Sequence, residues 1–478
     1  MSRQIKAHQT TAQQGEDWAG EVLFNADLSS LFQVRVKALD TALALRRTCK
    51  QAPLAIVFKP KEACELLAKH GTDGLAEYAA GEGDLLLLQF AMRRGCKTNQ
   101  VCPSAAYGGH LELLQWARAQ DCPWNDGTFR GEGTCAAAAE KGHLEILKWA
   151  REHGCPWDES TCADAAWGGH LECLKWAREQ GCPWNSCTCA SAARCGRLDI
   201  LEWAREHLCP WDARTCSGAA SGGHLEILKW AREQGCPWDE DTCTAAAENG
   251  LMDILQWAHE HGCPWDWDTC SNAAVNGQLE VLKWAHEHGC PWDDNTCSVA
   301  AENGHLECLK YAREQGCSWD ERTCADTARG GHFECLQYAR EHGCPWDVST
   351  CWWAAMRGHL DILKYARAEG CTWDESTCAS AACGGHMEVL KWAREQGCPW
   401  SERTCASAAR SGHLEVLQWA HEHGCTWDES TCASAAAGGK FQCLKWAHEH
   451  GCPWDESTCE SAAYAGDQKI IKRARDKG

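Results

Sequence analysis

One 27-residue unit, copied along most of the chain, decides what this sequence can fold into. A Gly-His step ahead of Leu-Glu marks it, as at Gly142-His143, Gly169-His170, Gly223-His224 and Gly304-His305. The second residue of that step recurs every 27 residues from His143 through Arg197, Leu251 and Gln278 to Lys440 and Asp467, twelve periods without a slip. His110 precedes His143 by 33 because Asn125–Thr134 carries six extra residues, and a degraded copy surrounds Gly83-Asp84. That makes fifteen copies, from about Lys61 to the C-terminus. A unit so short cannot bury its own apolar face, so each copy must stack on a neighbour.

The unit beginning at Trp157 reads as helix, tight turn, helix, loop. Asp158 or Ser160 can cap the free N–H groups of a first helix. Gly168-Gly169 ends that helix, and Gly181 and Pro183 end the second, expected over Leu171–Gln180. Cys162, Ala165 and Ala166 recur at i, i+3, i+4 and form a buried stripe of small side chains. Leu171, Leu174 and Ala177 form the matching row on the second helix, with Cys173 and Trp176 beside it. Glu172–Lys175 and Lys175–Glu179 pair on the wet side. No strand period appears, so the fold class is all-α, a helix-turn-helix solenoid.

At 478 residues the chain would ordinarily hold about three globular domains, but 28 Trp against 7 Phe is the skew of a copied segment. A net charge of −21 argues against nucleic acid and anionic lipid as partners, and no stretch is apolar enough to span a membrane. The opening, MSRQIKAHQTTAQQGEDW, has no apolar run of the secretory kind. The expected location is therefore the cytoplasm or the nucleus, with the 37 cysteines reduced.

GHLEILKWAREHG, from Gly142 to Gly154, followed by Cys-Pro-Trp-Asp, resembles the ankyrin repeat, whose consensus includes GHLEIVKLLLEHGADVN after TPLHLAA. Gly169, His170, Leu171, Glu172 and Leu174 fall on its turn and second helix, and Ala165-Ala166 on the Ala-Ala of its first. Two features depart from it. The TPLH histidine is replaced by small or polar residues such as Ala163, and the unit is six residues short of the family's 33, the missing residues belonging to the finger. The resemblance implies an ankyrin-type solenoid of about fifteen repeats with shortened finger loops, full-length only at Asn125–Thr134. It also implies a protein-binding scaffold or adapter without catalysis.

Residues 1–20 read as a disordered tail, residues 21–60 as a small helical segment and residues 61–478 as the array, ending in a basic cap (Lys469, Lys472, Arg473, Arg475, Lys477). The helical segment is either a cap on the first repeat or similar to the second half of an F-box, through Val22-Leu23, Leu28, Leu31-Phe32 and Leu39–Lys50. The Leu-Pro that opens an F-box is missing. An F-box would make the chain a substrate adapter of a ubiquitin ligase, with a Skp1-type partner at residues 22–60.

Two cysteine ladders run through the copies, Gly-Cys (Cys155) and Thr-Cys (Cys162), at positions where small apolar residues are expected. Their spacing of seven does not match a zinc knuckle, and His259 and His261, two apart on a helix, point away from each other. A metal-binding Cys-rich protein is therefore the lesser alternative, and no cofactor is expected. No Walker A, Gly-x-Ser-x-Gly or His-Glu-x-x-His sequence is present, and every His and Glu keeps the repeat symmetry that a catalytic group would break. His143 and His170 read as caps of the second helix, and the Trp ladders (Trp157, Trp176) as core.

Variation between copies points to the binding face. One first-helix position reads Asp164, Val299, Asp326 and Trp353 among its copies. Another, three residues on, reads Trp167, Arg194, Glu248, Val275, Glu302, Arg329, Met356 and Arg410. A position that drifts from apolar to charged is not core, and a spacing of three puts both on one face. In ankyrin arrays that face lines the concave groove. One copy gathers bulky apolar groups, Val348, Trp352, Trp353 and Met356, of the types that anchor interfaces.

Overall fold

The computed structural model describes residues 74–124 and 133–454, with 458, 460 and 461 beyond. The expectations for residues 1–20, for the cap or F-box at 21–60, for residues 125–132 of the long finger and for the basic C-terminal cap lie outside the described residues. Every regular element among the described residues is a helix, in the order first helix, second helix, copy after copy. The contacts divide the chain into two compact units, residues 1–184 and 185–478.

Local chemistry sets each copy's boundaries. Asp158 stands in extended backbone and its carboxylate accepts from the Ser160 N–H at 3.0 Å, opening the first helix, Glu159–Gly168. Gly169 closes it at φ +78°. The second helix, Leu171–Glu179, follows at once, and the Cys182 N–H returns to the Ala177 carbonyl at 2.9 Å. Lys175 pairs with Glu172 on the exposed side at 2.9 Å.

Within each unit, successive first helices pack closely, as Thr134–Glu140 does on Glu159–Gly168, or Val348–Arg357 on Glu375–Gly384; successive second helices touch at few points. The cause is side-chain size. The first helices face each other across Thr161, Cys162, Ala165 and Ala166 and their equivalents, all buried, whereas Lys, Arg and Trp stand between second helices. Cys173, Leu174 and Ala177 complete the core beneath, while Leu171 is only half-buried.

The Trp ladders are not core. Trp157 and Trp176 are half-buried at the outer edge, where they meet edge to face at 5.9 Å. The Arg151 guanidinium lies 4.3 Å over the Trp157 ring while its Nη1 donates to the Cys155 carbonyl at 3.0 Å. Arg205 over Trp211, Arg340 over Trp346 and Arg394 over Trp400 repeat the arrangement. An indole is too wide for a seam sized for Ala and Cys, and the edge lets one ring face meet a cation.

Nor do the Gly-His histidines cap by side chain: the rings of His143 and His170 make no cap hydrogen bond. The ring reaches back to the preceding copy instead. His110 Nε2 donates to the Gly81 carbonyl at 3.0 Å, His143 Nε2 to that of Tyr107 at 3.3 Å and His305 Nε2 to that of Val275 at 2.9 Å. A Cβ on Gly142 would lie 2.4 Å from His170 Nδ1, so the glycine leaves room for the ring as well as adopting φ +73°. Gly154, at φ +80°, has open space around it. Gly142→Ala and Gly154→Ala should therefore both incur the left-handed penalty of about 1 kcal/mol, with a further loss for Gly142→Ala alone. In a His170→Ala background that further loss should vanish. Thermal melts of the three single variants and of the Gly142→Ala/His170→Ala double mutant measure it, and an unchanged gap would contradict the tether.

The cysteines pair at a spacing of twenty, not seven. Cys216 hydrogen-bonds the thiol of Cys236; Cys236 in turn donates to the Asp212 carbonyl at 3.6 Å, tying the end of the copy to its start. Cys378, Cys398 and Asp374 do the same, with the last contact at 3.4 Å. Burial lifts the Cys102 thiol to about 12 and those of Cys173, Cys308, Cys335 and Cys443 to about 11, from an ordinary 9.0. Above pH 9 the unfolded chain sheds thiol protons that the folded chain keeps. Stability is thus complete below pH 9 and lost as pH rises toward 11, by ~1.4 kcal/mol per pH unit for each such thiol. Replacing Cys173, Cys308, Cys335 and Cys443 by Ile, which other copies use there (Ile146, Ile200, Ile227), should make the fall in melting temperature between pH 9 and 10.5 shallower. An identical fall would show that these thiols stay neutral in both states.

Candidate interaction groove on the first-helix face

The predicted face residues fall into separate groups. In the first unit, Asp164 is half-buried and Trp167 exposed. In the second, Arg194 is exposed, its Nη2 donating to Ser221 Oγ at 3.1 Å, and Glu248 is exposed. Val275 and Val299 are half-buried. Their carbonyls, rather than their side chains, are engaged, by His305 Nε2 and Asn303 Nδ2, each at 2.9 Å.

Glu302, Asp326, Arg329 and Trp353 come together. Arg329 Nη2 lies 2.6 Å from Glu302 and 3.3 Å from Asp326, tying two copies across their seam. Its guanidinium also lies 5.2 Å over Trp353, with Arg357 at 5.9 Å from the same ring. Burial raises the Asp326 carboxyl above its usual range and Arg329 opposes the shift. Trp353 packs on the core cluster of its unit. It is thus a seam residue, closed over by two arginines.

Trp352 meets Trp353 edge to face at 4.3 Å but faces the other way, into an open groove of about 340 Å³. Trp352 and Met356 form one wall of the groove and Arg403 and Arg410 the other, over a floor that includes Ser376, Ser380, Cys383 and Ser407. Val348, exposed at the start of the same helix, does not line it. The groove exists because the two copies after Trp352 revert to Ala and Ser at its positions, leaving bulk at one end and long cations at the other.

Arg403 and the floor were missed by the sequence reading, although a signal was there. The residue before each Thr-Cys reads Ser160, Cys187, Arg214, Asp241, Asp268, Asn295, Arg322, Ser349, Ser376, Arg403 and Ser430, as variable as the positions of Asp164 and Trp167. The four His at the Arg-over-Trp position do not converge on a metal: His259 stacks on Trp265 at 3.9 Å, while its neighbour His261 stacks on Trp257 at 4.3 Å. Among the described residues no group of three or more His, Cys, Asp or Glu could hold a metal ion, and no helix is long and apolar enough to cross a membrane.

The family described as ankyrin repeats (many copies) matches residues 135–178, one and a half of the units above. The chain is similar to the crystal structure of the human ASB11 ankyrin repeat domain at 19% identity and a TM-score of 0.29, over 33% of this chain and 84% of that one. It is also similar to the pentatricopeptide repeat protein PPR10 in complex with an 18-nt psaJ RNA element, at 12% identity and a TM-score of 0.33, over 91% of this chain and 79% of that one. No curated protein matches the sequence.

Proposed function

We propose that the chain is an ankyrin-type repeat protein, supported by the match of residues 135–178 to ankyrin repeats (many copies), and that it is a non-catalytic scaffold or adapter that binds a partner protein on the first-helix face of its second unit. One observation carries this. Trp352 and Met356 of one copy and Arg403 and Arg410 of the copy two along line one groove, at positions where the copy between them has only Ala379, Cys383 and Ser376. Residues free of a packing role are expected to differ in type, but a scatter of neutral drift would not put aromatic, thioether and guanidinium groups around a single recess. The small side chains of its floor leave backbone and hydroxyls within reach of a ligand. Two ladders of buried thiols suit a reducing compartment, cytosol or nucleus.

The test is affinity purification from the native cell with the full chain as bait, alongside two variants. Trp352→Ala with Met356→Cys uses residue types found at those positions in the next copy (Ala379, Cys383). It should leave the melting temperature unchanged and weaken the partner by about 2 kcal/mol or more. Trp353→Ser, which opens the seam, should lower the melting temperature. A partner held equally well by the Trp352/Met356 variant would remove the groove from the interface.

A further inference from the structure

The groove also specifies the chemistry of what enters it. This step rests on the scaffold reading above and narrows it to a ligand class. The chain carries a net −21, yet the groove is lined by two arginines and no carboxylate. Glu375 and Glu402, next in the chain to Ser376 and Arg403, are exposed and do not line the groove. Asp374 accepts from the Ser376 N–H at 3.0 Å and Asp428 from the Ser430 N–H at 3.1 Å, each capping its own helix. Arg329, one copy before the Trp-rich one, is neutralised by Glu302 and Asp326. Arg403 and Arg410 are exposed, and among the described residues neither has an ion pair. They are seven residues apart on the helix Glu402–Ser411, so they share a face with about 10 Å between them along the axis.

From this charge pattern we infer that the groove takes a linear acidic segment of a partner protein, with two carboxylates set against Arg403 and Arg410 and one aromatic or aliphatic side chain against Trp352 and Met356. Met356 and Arg410 occupy the same position two copies apart, which at ~10 Å per packed helix puts the apolar anchor roughly 20 Å from the acidic pair. In an extended peptide that is about six residues. Guanidinium groups bind carboxylates in two-point fashion, and the acidic surface around the groove repels a ligand that carries its negative charge anywhere else. The same field disfavours a nucleic acid, whose charge is continuous along its length.

The experiment is selection of ten-residue peptides from a random display library on the full chain, at low salt, followed by affinity measurement of the winners. Arg403→Ser with Arg410→Ala is the variant, since Ser430 and Ala437 stand at those positions in the next copy and the fold should tolerate both. The expected result is peptides rich in Asp and Glu with one large apolar residue, losing at least tenfold in affinity to the variant while its melting temperature stays unchanged. Selected peptides that are neutral or basic, or that bind the variant equally, would overturn the acidic-ligand inference and leave the scaffold reading standing. Retention of a single-stranded RNA 12-mer in place of any peptide would overturn both.

Discussion

Successive first helices in each unit approach one another across nothing bulkier than Thr and Cys, and the rest of the architecture follows from that close approach. Thr161, Cys162, Ala165 and Ala166 are buried in one copy, and Thr377, Cys378, Ala381 and Ala382 in another, with almost no change of residue type between them. A seam this narrow leaves a large side chain half-buried at best, as Trp353 is. The indoles go to the outer edge under arginines, the leucines go beneath, and the variable residues are left on the inner face. A tight seam also demands backbone without side chains at its corner, which is why a histidine of one copy rests on a glycine of the copy before.

Much of this was legible in the sequence, for a physical reason. Period, caps and turn glycines are local properties, and each is repeated often enough to be read without ambiguity. Asp158 opens its helix and Gly169 closes it where the residue types say they should. The errors concern distance across the fold. Trp157 and Trp176 look like core by hydrophobicity, but the size of the seam, known only in three dimensions, excludes them. His143 looks like a cap by position, yet its ring bonds the Tyr107 carbonyl of the copy before. Cysteines seven apart in sequence drew attention from partners twenty apart, which only the hairpin of the two helices brings together.

The face residues show the same limit more sharply. Self-comparison of the copies singles out positions on one face of the first helices, because chemical drift marks exposure. It could not sort residues within that face. Trp352 and Trp353 are neighbours in sequence and identical in type, yet one looks into the groove and the other is clamped between arginines in the seam. The difference is a rotation of about 100° along a helix, decided by which side the adjacent copy lies on. Arg329 and Arg410 occupy equivalent positions, but Glu302 of the preceding copy and Asp326 of its own helix consume the first, and among the described residues no ion pair holds the second.

The paired thiols give the fold a one-way character. While the helices stay closed, the described ladder cysteines sit out of solvent, and a reagent in the water has no purchase on them. Opening a single copy releases two sulfurs at once, close enough in the chain to be captured by each other or by a neighbour's pair. In a reducing medium the copy can simply close again. In an oxidising one the first excursion is recorded covalently, the seam no longer fits, and the adjacent copies lose the surface they leaned on. The lifetime of such a molecule is then set less by how stable it is than by the redox state of the water around it.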